Sequence, residues 1–238
     1  MSRGSGLAVL DAALAKHGLC RRGRLVAGDA AVAMPSNGGA VSFICLVGHA
    51  GGGFWPVFEA WRKAHRDVED PLDRWSEAVI RPLAEAAGGE AVFPSDRPWH
   101  PFQQWAMLAE GLKPSPLGML IHPEYGLWHG YRGAILFGPE ARVRLLDPTV
   151  AASQDGESDV SLIHPCDACP DRPCMTVCPV KAFGPAGFTV DACRTHLKTD
   201  DGRQGCMSSG CLARDACPVG REHRYSGAQV GFHMAGFG

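Results

Sequence analysis

The sequence contains no apolar run approaching the roughly 20 residues that a membrane-crossing helix needs. It also lacks a surplus of either charge. Lys and Arg total 23 against 25 Asp and Glu, a formal net charge of -2, which supplies no polyelectrolyte drive toward nucleic acid or anionic lipid. Neither a membrane nor a nucleic-acid partner is therefore expected. The apolar stretch Leu7 to Ala15 is broken by Asp11, followed by Lys16, and leads to no small-residue cleavage site. No signal peptide is read there, and the expected compartment is the cytoplasm. Disorder is excluded as well, because 238 residues with 45% hydrophobic positions can bury one large core or two smaller ones.

What the chain does have is cysteine, unevenly spread. Eight of its ten cysteines lie at or beyond residue 166, and in a reducing compartment such a group reads as metal ligation before disulfides. The polar, aperiodic stretch Pro148 to Val160 marks a boundary. The expected organisation is residues 1–150 as one domain, 151–160 as linker and 161–238 as a second domain, in which apolar residues are too sparse for an ordinary core.

The first domain alternates helix and strand signals. Ser5 is placed to cap a helix carrying Leu7, Leu10 and Leu14, and Gly18 to end it. Val41 to Val47 reads as a strand buried on both faces. Pro56 opens a helix to about Arg66 with Val57, Phe58 and Trp61 inward. Asp70 and Pro71 start another, with Leu72, Trp75, Val79 and Leu83 inward, Gly88 as stop and Pro82 as a bend. Phe102, Trp105, Ala109 and Leu112 make a third apolar stripe. Ala91 to Phe93, Met119 to His122, Tyr131 to Phe137 and Val143 to Leu146 are strand candidates. The class is mixed α+β. The glycine run Gly51 to Gly53 stands between a strand and a helix, but lacks dinucleotide and P-loop spacing.

The cysteine spacing is specific. Cys166-x2-Cys169-x4-Cys174-x3-Cys178-Pro179 matches the two-cluster ferredoxin pattern at both ends, its middle gap being two residues longer. In that pattern the last cysteine ligates the other cluster. The second set, Cys193-x12-Cys206-x4-Cys211-x5-Cys217-Pro218, closes with the same Cys-Pro step. Crossed ligation then gives one 4Fe-4S cluster on Cys166, Cys169, Cys174 and Cys217, and a second on Cys178, Cys193, Cys206 and Cys211. Two zinc sites are the alternative use of eight thiols, but zinc sites usually repeat Cys-x2-Cys twice and only one such pair exists here. His164, His196 and His223 lie near these cysteines and read as surface or supporting groups. Cys20 and Cys45 read as small buried hydrophobes.

Two further segments carry a resemblance. Asp70-Pro-Leu-Asp-Arg-Trp75 and the stretch Ser115 to Phe137, with Ile121-His122-Pro123, Gly126-Leu127-Trp128 and Arg132-Gly133 in order, resemble the cobalamin-processing (decyanating and dealkylating) protein family. A domain of this kind followed by two clusters also resembles epoxyqueuosine reductase and the reductive dehalogenases, whose cluster region has a step like Thr189-Val-Asp-Ala-Cys193. The resemblance implies a nitroreductase-like first domain and a ferredoxin-like second one. It further implies a corrinoid, or in second place a flavin, with His122, Trp128 and Arg132 as its binding residues. Asp96 is the nearest counterpart of the catalytic aspartate of the epoxyqueuosine reductases, in different surroundings. The chain ends about 20 residues after Cys217 without the tRNA-binding extension usual in those enzymes. The expected function is passage of single electrons from two clusters to a corrinoid, supplied by a separate donor protein. The alternative is an electron-transfer protein whose first domain is a docking module without cofactor.

Overall fold

The computed structural model describes residues 6–26, 40–145 and 164–237. In chain order the strands are β1 Cys20–Val26, β2 Phe43–Ala50, β3 Glu90–Val92, β4 Lys113–Pro114, β5 Leu120–Ile121, β6 His129–Phe137, β7 Phe183–Gly184 and β8 Gly187–Phe188. The helices are α1 Gly6–Ala15, α2 Trp55–Ala64, α3 Pro71–Ala87, α4 Phe102–Glu110 and α5 Pro139–Leu145, then α6 Val190–Leu197, α7 Asp200–Gln204, α8 Cys206–Ser209, α9 Leu212–Asp215 and α10 Gly227–Ala235. Among the described residues no helix is long and apolar enough to cross a membrane. The chain divides into two compact units, Met1–Gly111 with Gly130–Ser161, and Leu112–His129 with Leu162–Gly238.

The first unit is built on a four-stranded antiparallel sheet in the order β1-β2-β6-β3. Strand β2 is its axis. Phe43, Ile44, Cys45, Leu46 and Val47 are all 0% exposed, as a strand with apolar residues on both faces requires, and each such side chain contributes about 1.5–3 kcal/mol on burial. An aromatic group of Phe54, Phe58 and Trp75 packs α2 against α3, with ring centroids 5.6 Å apart for both Phe54–Trp75 and Phe58–Trp75.

Several local expectations shift. The inward face of α2 is Trp55 and Phe58, while Val57 points to solvent. In α3 the buried set is Trp75, Ser76, Val79, Ile80 and Ala84, a face rotated away from Leu72 and Leu83. Asp70 does precede that helix, but its backbone is left-handed and its side chain caps nothing. Gly88 ends α3 at φ 76, as its freedom at positive φ allows. The strand expected over Val143 to Leu146 is replaced over residues 143–145 by α5, opened by Pro139 and carrying Glu140 in its first turn. Leu146 and the expected cap Ser5 lie outside the described residues. Strand β1, with three arginines in seven residues, has no apolar signature and was not among the expected strands.

The second unit contains little regular structure. Two-stranded ribbons β4-β5 and β7-β8 and short helices surround a core of Leu117, Ile121, Leu127, Ala213 and Cys217. Cys166, Cys174, Cys178, Cys211, Met175, Phe183 and Val219 pack at its edge. The sparse apolar content of the tail is thus completed by segment 112–129, which the sequence boundary grouped with the first 150 residues. Close backbone contact holds that segment to the last cysteine loop. A Cβ at Gly126 would lie 2.0 Å from the Val219 carbonyl oxygen, and one at Gly220 would lie 2.3 Å from the Tyr125 backbone. Both glycines also have positive φ, 56° and 68°, so side chains are excluded twice over.

Candidate metal centre

The eight clustered cysteines sit on loops and helix ends of the second unit. Cys166 and Cys169 are joined by a turn in which the Cys169 N–H donates to the Cys166 carbonyl at 3.4 Å. Cys174 lies in the 3-10 turn Pro173–Met175, entered through Arg172 in a left-handed conformation, φ 39. Cys178 follows, and Lys181, also left-handed at φ 48, turns the chain back so that the Ala182 N–H donates to the Cys178 sulfur at 3.4 Å. Cys193 is on α6, Cys206 opens α8, Cys211 precedes α9 and Cys217 stands before Pro218. All ten cysteines of the chain are free thiols.

Their electrostatics sort the eight into two fours. Burial, then the charges of Cys217, Cys174 and Cys169, push the Cys166 thiol up to about 11. Burial and the charges of Cys217 and Cys169 likewise raise Cys174, and burial and Cys169 raise Cys217. In the other group burial, then Cys211, Cys178 and Cys206, raise Cys193. Cys206 is raised by burial and by Cys211 and Cys178. Such coupling needs proximity, because like charges perturb one another only over a few ångströms. A cavity bounded by Cys166, Cys169, Cys174 and Cys217 is otherwise lined by Leu117, Ile121, Leu127, Val219, Ser115, Arg172 and four prolines. Four thiols facing one apolar cavity fit a metal–sulfur group.

Among the described residues no three Cys, His, Asp or Glu side chains close tightly enough to hold a single metal ion. A tetrahedral zinc site needs each sulfur ~2.3 Å from one ion. In a cubane each thiolate instead binds its own iron, so the thiols stand farther apart.

The four residues suggested by resemblance have local partners. His122 accepts the Glu124 and Tyr125 backbone N–H groups on Nδ1, at 3.1 and 3.2 Å, and stacks on the Tyr125 ring at 4.3 Å. Trp128 is 3% exposed, meets Tyr225 edge-on at 5.3 Å and has the Arg214 guanidinium 4.4 Å above its ring. The same Arg214 donates to the Leu127 carbonyl at 2.6 Å. Both residues belong to the second unit. Asp96 and Arg132 belong to the first. The Asp96 carboxylate accepts the Phe93 N–H at 2.7 Å and closes a turn, and Arg132 is half-buried on β6.

Sequence reasoning missed two polar groupings. In the first unit Arg22 pairs with Glu110 through two hydrogen bonds, 2.9 and 3.1 Å, and the Tyr131 hydroxyl donates to the same carboxylate. Burial pushes the Tyr131 hydroxyl well above its usual range, and the Glu110 charge adds to this. No local signal links residues 88 positions apart. In the second unit His196 Nε2 lies 3.9 Å from the Cys206 sulfur; its place near the cysteines was legible, its partner was not. In the glycine run Gly51 has a positive φ of 60°, while a Cβ on Gly53 would meet only the Gly18 carbonyl oxygen at 3.8 Å; the close approach is at Gly18, where a Cβ would lie 2.3 Å from the Gly53 carbonyl oxygen. The chain matches no protein-family model and no curated protein.

Proposed function

We propose that the second unit is a ferredoxin-like carrier of two 4Fe-4S clusters, one on Cys166, Cys169, Cys174 and Cys217 and one on Cys178, Cys193, Cys206 and Cys211. In this reading the protein passes single electrons to a corrinoid held by a nitroreductase-like first domain, for cobalamin reduction or dealkylation. The observation that carries the proposal is the division of eight thiols into two mutually coupled fours, each mixing cysteines from both sequence motifs. A zinc ribbon pairs neighbouring Cys-x2-Cys steps and gives no reason for Cys217 to join the first loop.

Bound by four thiolates, a 4Fe-4S cluster takes up and releases one electron at a time, at potentials that reach the low values corrinoid reduction demands. The chain's own residues supply the surroundings. Leu117, Ile121, Leu127 and the prolines line the cavity with the first group of thiols, of which Cys217 is buried and the other three half-buried, and the Ala182 N–H donates to the Cys178 sulfur. Resemblance names Arg132 and Asp96 as corrinoid-side residues of the first unit, while His122 and Trp128, named by the same resemblance, lie in the second. A second reading, electron transfer without a corrinoid, draws support from the enclosure of Trp128 and the use of Asp96 to close a turn.

Protein purified without oxygen is expected to carry about eight iron atoms and as many acid-labile sulfides per chain. Zinc, or no metal, in carefully reconstituted material overturns the proposal. Added cobalamin under reducing conditions is expected to change its absorbance; intact clusters with an unchanged cobalamin spectrum leave the second reading standing.

A further inference from the structure

The two groups of thiols differ in what surrounds them, and the difference centres on Cys206. His196 Nε2 approaches its sulfur at 3.9 Å, and the Leu212 N–H also points at it. The Ala182 N–H reaches Cys178 of the same group. Around the other group stand Pro116, Pro165, Pro173 and Pro218, none of which has an N–H to give. The donors there are the N–H groups of Val219 and of Cys174 itself.

His196 is held where it is. It lies on the last turn of α6, three residues after Cys193, so ligand and donor share one rigid element. Its carbonyl accepts the Thr199 N–H at 2.9 Å and the Thr199 hydroxyl at 2.7 Å. Gly202 packs so closely that a Cβ there would lie 1.9 Å from that carbonyl oxygen. A metal-bound thiolate has lone pairs and no proton, so across this contact the imidazole N–H is the donor.

We propose that His196, by donating to Cys206, holds the centre on Cys178, Cys193, Cys206 and Cys211 at a higher reduction potential than the centre on Cys166, Cys169, Cys174 and Cys217. The inference rests on the iron–sulfur reading above. Its physics is that an N–H directed at sulfur stabilises the reduced form, which carries one more negative charge, and so raises the potential. An electron supplied by an external one-electron reductant resides first on the His196 side. His196 acts through Cys206 and is a positioning residue, not a ligand.

The test is a dithionite titration of the full chain under anaerobic conditions, followed by electron paramagnetic resonance. The unmodified protein is expected to reduce in two steps. His196→Phe should shift the higher step to more negative potential and leave the lower step where it is, at unchanged iron content. His196→Asn, which keeps an N–H on a shorter side chain, should shift that step less, and it serves as the measurement if the phenylalanine variant fails to assemble. Full iron content with both steps unmoved in the two variants overturns the inference while leaving the clusters in place. No cluster signal in the unmodified protein overturns the iron–sulfur reading and this inference with it.

Discussion

In the first unit five consecutive residues of β2, Phe43 to Val47, are wholly buried. In the second the core around Leu117, Ile121 and Leu127 includes one cysteine, and four more stand at its edge. The first arrangement is held by removal of apolar surface from water, which every sheet-forming chain can use. The second places thiols where a core would place aliphatic side chains, and burial raises the cost of ionising them. The contrast teaches that apolar burial accounts for the first unit by itself, whereas in the second thiols occupy positions that apolar side chains would fill.

On the iron–sulfur reading proposed above, the largest effect that sharpens this contrast is removal of iron. Structural metal binding contributes on the order of 10 kcal/mol to small metal-dependent folds. Chelation is expected to abolish hydrogen-exchange protection in α6 and in the loops carrying Cys166 to Cys178, while β2 amides keep theirs. Equal loss in both units would break the comparison.

A smaller effect tests how segment 112–129 is held. Gly126→Ala puts a methyl against the Val219 carbonyl and forces a left-handed alanine, at an expected cost of about 3 kcal/mol. Both the thermal midpoint of the second unit and its iron content should fall. Gly118→Ala is the control: its φ is 78° but nothing lies within 4 Å, so only about 1 kcal/mol is expected.

The smallest effect belongs to the first unit. Burial pushes the Cys45 thiol from 9.0 up to about 11, against the opposing charges of Arg21 and Arg24. Below pH 9 the thiol is protonated whether the chain is folded or not, and nothing is lost. Between 9 and 11 the unfolded chain alone releases the proton, so stability falls as pH rises, by about 1 kcal/mol at pH 10. Cys45→Val should flatten that part of the pH profile in denaturant titrations, and an unchanged slope would show that burial there is incomplete.

Much of the first unit was legible because its signals are local: the apolar run of β2, Pro71 at the start of α3 and Gly88 at its end. What escaped depended on distant partners. Strand β1 looks polar because Arg22 is buried against Glu110 and the Tyr131 ring, both far along the chain. The α3 face was misjudged by about one position because Leu83 is only half-buried beside α1 and α5 while Ser76 is covered, its hydroxyl donating to the Leu72 carbonyl. For the cysteines, spacing offers a grouping to propose, since Cys-Pro steps and short gaps are local chemistry. The attachment of Leu117, Ile121 and Leu127 to those cysteines was not legible, because an apolar residue does not announce which core it joins.

That attachment has a consequence for how the chain can be cut. A fragment starting after the boundary stretch would leave the ribosome with all eight clustered thiols and without the strap that Gly126 and Gly220 clasp. Recombination at that point, though it looks like a natural seam, would separate the sulfur-bearing loops from half of their floor, so the tail is not a transferable cassette.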